Sequence, residues 1–345
     1  MAVDRSRGVT QGKVHIAYEV IGSGPETLVV VPAWVSHLDY DWQTPEIRAF
    51  YEALARGRRV VRYDRRGSGL SERAVSAEDC TPEARMADCL AVLDAVGVAR
   101  ASVLATSGGG AAAITLTVAR PERVAKLVLY GCYARLLAAP DYPIGRSDER
   151  PKALTSLVRS EWGLGSRVLA DVFIPEADPA RVAWFTTYQR IAATAEVAVT
   201  YLEADYAIDV RPLLGQVACP VLVLHRRQEH MIPFPQGEYL AAHMSGARFQ
   251  PLEGEHHIPY LGDSRALVDA VERFLAPPGA PARALSPREI EVLKLVADGL
   301  ANRDIAARLG VGEATVARHL ANIFAKTATT GRAGAVAFGL RQQLI

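Results

Sequence analysis

A serine, a carboxylate and a histidine stand along this chain in an order and in settings that suit acyl-transfer chemistry. Ser107 lies in Val103-Leu-Ala-Thr-Ser-Gly-Gly-Gly-Ala-Ala-Ala113, where an apolar run gives way to glycines and then to an Ala-rich helical stretch. A serine on a sharp strand-to-helix turn needs small residues two places before and two places after it, because larger side chains collide there; Ala105 and Gly109 hold those places. Such a turn lifts the hydroxyl clear of the sheet and aims the Gly108 N–H and the helix N-terminus at one point, where a negative oxygen is stabilised. A hydroxyl is a poor nucleophile without a base, and an imidazole base needs an acid to orient it. Glu229 follows the apolar run Val221–Leu224, in a loop beginning His225-Arg-Arg-Gln-Glu229. The pair His256-His257 comes later, in Leu252-Glu-Gly-Glu-His-His-Ile-Pro-Tyr260. Each residue is thus placed after the element that should present it, and neither a metal nor an organic cofactor is required.

Two other readings of the glycine turn compete. The serine could serve only as a helix cap, and Gly108-x-Gly110-x-x-Ala113 also fits a dinucleotide-binding fingerprint. The fingerprint calls for an acidic residue at the end of the next strand, whereas that strand here ends in Tyr130-Gly-Cys132. The serine, acid and histidine together favour the hydrolytic reading.

A second group of residues suits nucleic acid. Thr315, Arg318, His319 and Asn322 fall on one side of a helical repeat from about Glu313 to Lys326, while Val316, Leu320 and Ile323 fall on the other. A short helix at Asn302–Leu309 and a glycine turn precede it, which predicts a helix-turn-helix with its second member outward. Ser286, followed by Pro287 and Glu289, predicts a capping box ahead of the preceding helix.

The elements that must position these groups divide the chain. Ala276-Pro-Pro-Gly-Ala-Pro-Ala-Arg-Ala284 cannot continue a helix and predicts a linker over 276–284, between an N-terminal domain (1–275) and a C-terminal one (285–345). Before it, Val14–Val20 alternates as an edge strand. Apolar runs at Leu28–Val31, Arg59–Tyr63, Ser102–Leu104, Lys126–Tyr130 and Val221–Leu224 predict buried strands of a parallel sheet, with helices between them. The segment from about 136 to 214 turns helical (Ala153–Trp162, Arg181–Ile191, Val197–Ala207) and predicts a cap. The fold class is α/β, doubly wound, with a helical cap and a small all-α domain after it.

Residues from about 12 to 276 resemble the α/β-hydrolase superfamily, and Asp64-Arg-Arg-Gly-Ser-Gly-Leu-Ser71 matches that superfamily's D-x-R-G-x-G-x-S loop. The resemblance implies Ser107 as nucleophile, His257 as general base and Glu229 as the orienting acid, with the backbone N–H groups of Trp34 and Gly108 as the oxyanion hole. His256 is the alternative base; the match of Gly254 and Pro259 to the family's loop favours His257. The sequence departs from the pattern in having glutamate for the usual aspartate, and Pro32-Ala33 where the family has His-Gly. The four tryptophans, Trp34, Trp42, Trp162 and Trp184, all precede the linker and are candidates either for core packing or for an apolar ligand pocket.

The C-terminal segment resembles the LuxR-type DNA-binding domain through Leu285-Ser-Pro-Arg-Glu-x-Glu-Val-Leu, Asn302-x-x-Ile-Ala-x-x-Leu and Thr315-Val-x-x-His319. That implies double-stranded DNA as partner, phosphate or base contacts by Arg318 and Lys326, and a fourth helix (about Ala333–Leu344) that forms a homodimer. Ala317 and Thr327 depart from the family's usual lysine and leucine. The expected function is transcription regulation by a domain that binds, and has the residues to hydrolyse, a small ester- or lactone-like ligand. The alternative is a serine esterase whose helix-turn-helix is vestigial or only dimerises.

Composition fits this. Half of the 345 residues are hydrophobic, enough for a large core, and the net charge is +1. The segment 285–345 carries eight basic and five acidic residues, a local excess that suits phosphate contacts. The four cysteines lack C-x-x-C spacing and read as free thiols. The first residues lack the apolar core of a signal peptide, and no apolar run reaches the ~18 residues of a membrane span, so a cytoplasmic protein without membrane contact is expected.

Overall fold

The structure, a computed structural model, describes residues 5–345 except 11–13, 148, 277–284, 328, 330 and 343. The expected linker therefore lies outside the described residues, apart from Ala276. The chain divides into two compact units, 1–275 and 276–345.

The first unit opens with β1 (Arg5–Val9), β2 (Ala17–Ile21), β3 (Thr27–Val31), α1 (Leu38–Gln43), α2 (Pro45–Leu54) and β4 (Arg59–Tyr63). It continues through α3 (Pro82–Ala95), β5 (Ala101–Thr106), α4 (Gly109–Ala119) and β6 (Val124–Tyr130). Helices α5 (Glu149–Ser160), α6 (Trp162–Phe173), α7 (Pro179–Ala192) and α8 (Ala195–Ala207) intervene before β7 (Val221–Arg226), α9 (Phe234–His243), β8 (Arg248–Leu252) and α10 (Ser264–Leu275). The strands form one sheet in the order β1-β2-β4-β3-β5-β6-β7-β8. From β4 to β8 every neighbouring pair is parallel, whereas β1–β2 and β2–β4 are antiparallel.

The physical basis is burial on two faces. All five residues of β3 are buried, as are all six of β7, so these strands read as continuous apolar runs rather than alternating ones. Val29, Val103 and Leu129 join α3 and α4 in one core layer. Leu28, Leu104 and Leu222 join α2 and α10 in the other. Helices α6 to α8 bring a third apolar cluster, including Leu169, Phe173, Phe185 and Tyr201, which reaches Trp34 and Ile258.

The sequence expectation of an edge strand over Val14–Val20 is corrected: the edge is β1, and β2 sits one place inside it. The described sheet is also mixed, with antiparallel pairs at one side. The loop beginning at Asp64 is held from within. Asp64 is fully buried and accepts from the N–H groups of Leu38 (3.1 Å) and Leu70 (2.8 Å). Burial pushes its carboxyl up to about 7 against the pull of those donors.

In the second unit, α11 (Pro287–Ala297), α12 (Asn302–Leu309), α13 (Glu313–Thr327) and α14 (Arg332–Arg341) surround Val292, Leu293, Ile305, Val316, Leu320, Ile323 and Ala335. The capping box is formed: Ser286 Oγ accepts from the Glu289 N–H (3.3 Å), and Glu289 Oε2 accepts from the Ser286 N–H (2.7 Å). Gly310 ends α12 in the left-handed region at φ 64°, where a side chain is disfavoured. Among the described residues no helix is long and apolar enough to cross a membrane.

Candidate active site

Strand β5 carries the chain into Ser107, whose φ of 50° is unusual for a residue with a side chain. The turn is fastened on both sides: the Ser107 N–H donates to Tyr130 O (3.0 Å), and the Gly110 N–H donates to Ser107 O (3.0 Å). Helix α4 starts directly after Gly108, so its free N–H groups begin beside the serine. The space at Gly108 is limited, because an added Cβ there would lie 2.8 Å from Asp205 Oδ2 and 2.9 Å from the Tyr133 hydroxyl.

Glu229 and His257 meet across the ends of β7 and β8. His257 Nδ1–H donates to Glu229 Oε1 at 2.5 Å, and the Ile232 N–H donates to the same oxygen at 2.9 Å. Both residues are buried, at 7% and 4% exposure, so neither side chain is free to wander. The His257 backbone N–H donates to Phe173 O (2.8 Å), and the Phe173 ring stands edge-on to the imidazole at 5.0 Å. Gly131, at φ 56°, passes directly beneath the pair; a Cβ there would lie 3.2 Å from Glu229 Oε2 and 3.3 Å from His257 Cε1. His256 is turned elsewhere: its carbonyl accepts from Arg226 Nη1 (2.6 Å), and burial together with Arg226 lowers its imidazole pKa.

Trp34 is held by the helices above it. Its indole N–H donates to Gln189 Oε1 (3.0 Å), and Gln189, fully buried on α7, spends its own amide on Ser166 O (2.8 Å) and Phe185 O (3.3 Å). Two buried arginines hold the loop before Trp34. Arg65 donates to Ala33 O (3.1 Å) and Trp34 O (3.3 Å), and its guanidinium lies over Tyr201 at 3.5 Å. Arg85 pairs with Asp205 of α8 (3.2 Å) and donates to Pro32 O (3.4 Å).

Three cavities adjoin these residues. One of about 10 Å³ touches Ser107, Trp34, Tyr133 and Asp205, scarcely the space of one water. It shares Leu136, Tyr206 and Met231 with an apolar cavity of about 320 Å³ among α5, α6 and α8. A third, of about 90 Å³, has His257, Thr106 and Asp41 among its lining residues. Of the four tryptophans only Trp34 lines any of these. Trp42 packs under the guanidinium of Arg5 (4.3 Å), and Trp184 stacks on Tyr188 (5.7 Å). Sequence reading missed Asp205, Tyr133 and Asp41. They lie far along the chain in no recognisable motif, and only the cap and the sheet bring them in.

In the second unit Arg318 is exposed on α13, with Thr315, His319 and Asn322 partly exposed. The ammonium of Lys326, an expected DNA contact, is bonded to Glu289, which is 1% exposed. Burial works to raise the Glu289 carboxyl, but the bonds from Lys326 and Ser286 outweigh it and hold it below its ordinary range.

Residues 26–263 match the family described as alpha/beta hydrolase fold, and residues 283–338 match that described as bacterial regulatory proteins, luxR family. A pimeloyl-[acyl-carrier protein] methyl ester esterase of Neisseria meningitidis is 28% identical over 200 residues, covering 56% of this chain and 78% of that protein. The enol-lactonase of Burkholderia xenovorans superposes with a TM-score of 0.64 at 25% identity, over 78% of this chain and 99% of the other. A bromoperoxidase from Bacillus anthracis shares the fold, with a TM-score of 0.69 at 20% identity over 78% and 99%. The chain belongs to the α/β-hydrolase fold family. It carries, besides, a C-terminal LuxR-type helix-turn-helix domain.

Proposed function

We propose that this protein is a DNA-binding transcription regulator whose hydrolase-fold domain binds and hydrolyses a small ester or lactone. The observation that carries the catalytic half is the 2.5 Å contact between His257 Nδ1 and Glu229 Oε1, with Ser107 held at positive φ on the turn after β5. In this reading Ser107 Oγ attacks the carbonyl carbon while His257 Nε2 takes its proton, and Glu229 stabilises the imidazolium that forms. The backbone N–H groups of Trp34 and Gly108 receive the oxyanion. Collapse of the intermediate expels the alcohol, protonated by His257. Water then enters by the same route in reverse and frees the acid. The relatives support the chemistry: one is named a methyl ester esterase and another an enol-lactonase.

The regulatory half rests on the LuxR-type domain, with Thr315, Arg318, His319 and Asn322 as the candidate groove-facing residues, and on a homodimer formed through α14. Ligand binding would shift the balance between arrangements of the domains or of the dimer, by its different affinity for each. The testing experiment has two parts. Short-chain p-nitrophenyl esters are offered to wild type and to Ser107→Ala, and a salt-dependent DNA mobility shift is sought with wild type and Arg318→Ala. Ester turnover lost in the first variant and a shift weakened in the second are expected. Turnover with no DNA shift at any salt would leave the other reading, an esterase whose helical domain only dimerises. The engagement of Lys326 with Glu289 favours that alternative to this extent: it withdraws one of the two expected phosphate-binding cations.

A further inference from the structure

Two buried arginines grip three consecutive carbonyls in the loop after β3. Arg65 Nη1 donates to Ala33 O (3.1 Å) and Trp34 O (3.3 Å), and Arg85 Nη2 donates to Pro32 O (3.4 Å). Burying a guanidinium is costly unless its charge is balanced. Arg85 meets that condition by pairing with Asp205 (3.2 Å). Arg65 is 4% exposed, yet its bonds to the loop run to neutral carbonyls, its guanidinium lies over the Tyr201 ring, and the Cys80 thiol is beside it. A cation kept in such a place needs a reason other than an ion pair. Arg65 also occupies the variable second position of the D-x-R-G-x-G-x-S loop, so the family pattern assigns it no role.

The reason lies in the peptide it holds. The Ala33 carbonyl and the Trp34 N–H belong to one peptide unit, which is planar and trans, so the two groups point in opposite directions. Fixing the oxygen therefore fixes where the N–H points. A donor on the oxygen also polarises the unit and strengthens its N–H as a donor. Among the described residues the Trp34 N–H meets no acceptor, while the indole N–H of the same residue is bonded to Gln189. Trp34 and Ser107 line the same cavity of about 10 Å³. Pro32 has no N–H by which the loop could be tethered, and the arginines hold it by its carbonyls instead.

We propose that Arg65 is a positioning residue for the oxyanion hole. By holding and polarising the Ala33–Trp34 peptide it aims the Trp34 N–H at the negative oxygen, with Arg85 as the second anchor of the loop. Its own charge adds a stabilising field as that oxygen develops. The proposal rests on the reading of Ser107 as nucleophile.

The experiment measures kcat and KM for p-nitrophenyl butyrate in wild type, Arg65→Met, Arg65→Lys and, as a control, Arg66→Met. It also measures the rate at which a fluorophosphonate labels Ser107. In that reaction Ser107 Oγ bonds to phosphorus, fluoride leaves, His257 takes the proton and the phosphoryl oxygen occupies the oxyanion position. The labelling rate thus reports on the hole in folded molecules alone. Removing one oxyanion donor outright costs about 10²–10³ in kcat, and misdirecting it should cost about 10–100-fold. Arg65→Met is expected to lose that much in kcat and in labelling rate, with KM within about threefold of wild type. Arg65→Lys keeps the charge on a side chain one atom shorter and should fall between the two. Arg66, whose side chain is bonded to Asp79 and Asp88 rather than to the loop, should change neither rate when replaced. Rates for Arg65→Met within about twofold of wild type, or an equal loss in Arg66→Met, would overturn the proposal and leave the triad standing. So would a raised KM with kcat unchanged. If Arg65→Met does not fold, Arg65→Lys decides on the same criteria. If wild type is labelled but turns over no butyrate, the labelling rates decide. A wild type that is neither labelled nor active overturns the triad reading, and the role of Arg65 with it.

Discussion

The two units place their candidate functional side chains by opposite means. In the first, Ser107, Glu229 and His257 come from three separate loops and are all buried, with exposures of 6%, 7% and 4%, and Glu229 and His257 meet. In the second, Thr315, Arg318, His319 and Asn322 follow one another along α13 and reach solvent. Long-range convergence needs a rigid frame, and the sheet supplies one: β5, β7 and β8 end on the same edge, and Gly131 lets the chain pass close beneath the acid and the base. A surface helix needs only a buried opposite face, which Val316, Leu320 and Ile323 provide. Loss of one group should therefore be steep and cooperative in the first unit, and graded in the second.

The largest effect expected is for Ser107→Ala, which should lower kcat for a p-nitrophenyl ester by roughly 10⁴–10⁶. Residual activity within tenfold of wild type would break the contrast at its strongest point. Glu229→Gln should cost about 10³–10⁴ in kcat, because the amide no longer fixes the imidazole tautomer. Glu229→Asp should recover part of that loss, and steady-state kinetics on both variants decides it. Arg318→Ala should instead weaken DNA binding evenly across sequences and reduce the salt slope by about one, as read by a titration at several salt concentrations.

Lys326→Ala sharpens the comparison inside the second unit. Removing its ammonium strips Glu289 of a partner, so stability should fall by about 1–3 kcal/mol in chemical denaturation, with the salt slope unchanged. A change in slope without a change in stability would return Lys326 to the DNA-binding face. A pH-dependent effect concerns Asp64. Its folded pKa of about 7 lies above the ~3.9 of an unfolded carboxyl. The folded unit therefore keeps a proton that the unfolded chain releases, which favours folding fully below about pH 4 and is lost as pH rises through 7. Asp64→Asn should flatten that part of the stability profile between pH 4 and 8.

Much of the architecture was legible because its signals are local. Strands β3, β4 and β7 are apolar runs, and the helix-turn-helix follows a 3.6-residue period with a cap and a glycine stop. Strand β1 escaped because Arg5-Ser-Arg-Gly-Val9 is an exposed edge with no apolar pattern to read. Strand β8 carries Pro251, which argues against a strand except at an edge, where it lies. Helix α6 escaped the sequence reading, since Gly163 and Gly165 weaken its helical signal. At the site, the serine turn and the order of acid and histidine could be read from sequence. The Asp41–Arg62 pair could not, because an arginine in Arg59-Val-Val-Arg-Tyr63 looks like an interruption of a strand until the sheet shows what it faces.

The bond from Trp34 to Gln189 joins the roof of the pocket to the backbone proposed to receive the oxyanion. With only about 10 Å³ beside Ser107, a docking carbonyl has to displace neighbours such as Trp34, Phe173 of α6 or Leu202 of α8. Trp34 lines that same space, so what widens it acts on the residue whose indole Gln189 holds. Admission and assembly are thereby coupled: a molecule that left Trp34 displaced would also misplace the backbone N–H proposed to receive the oxyanion.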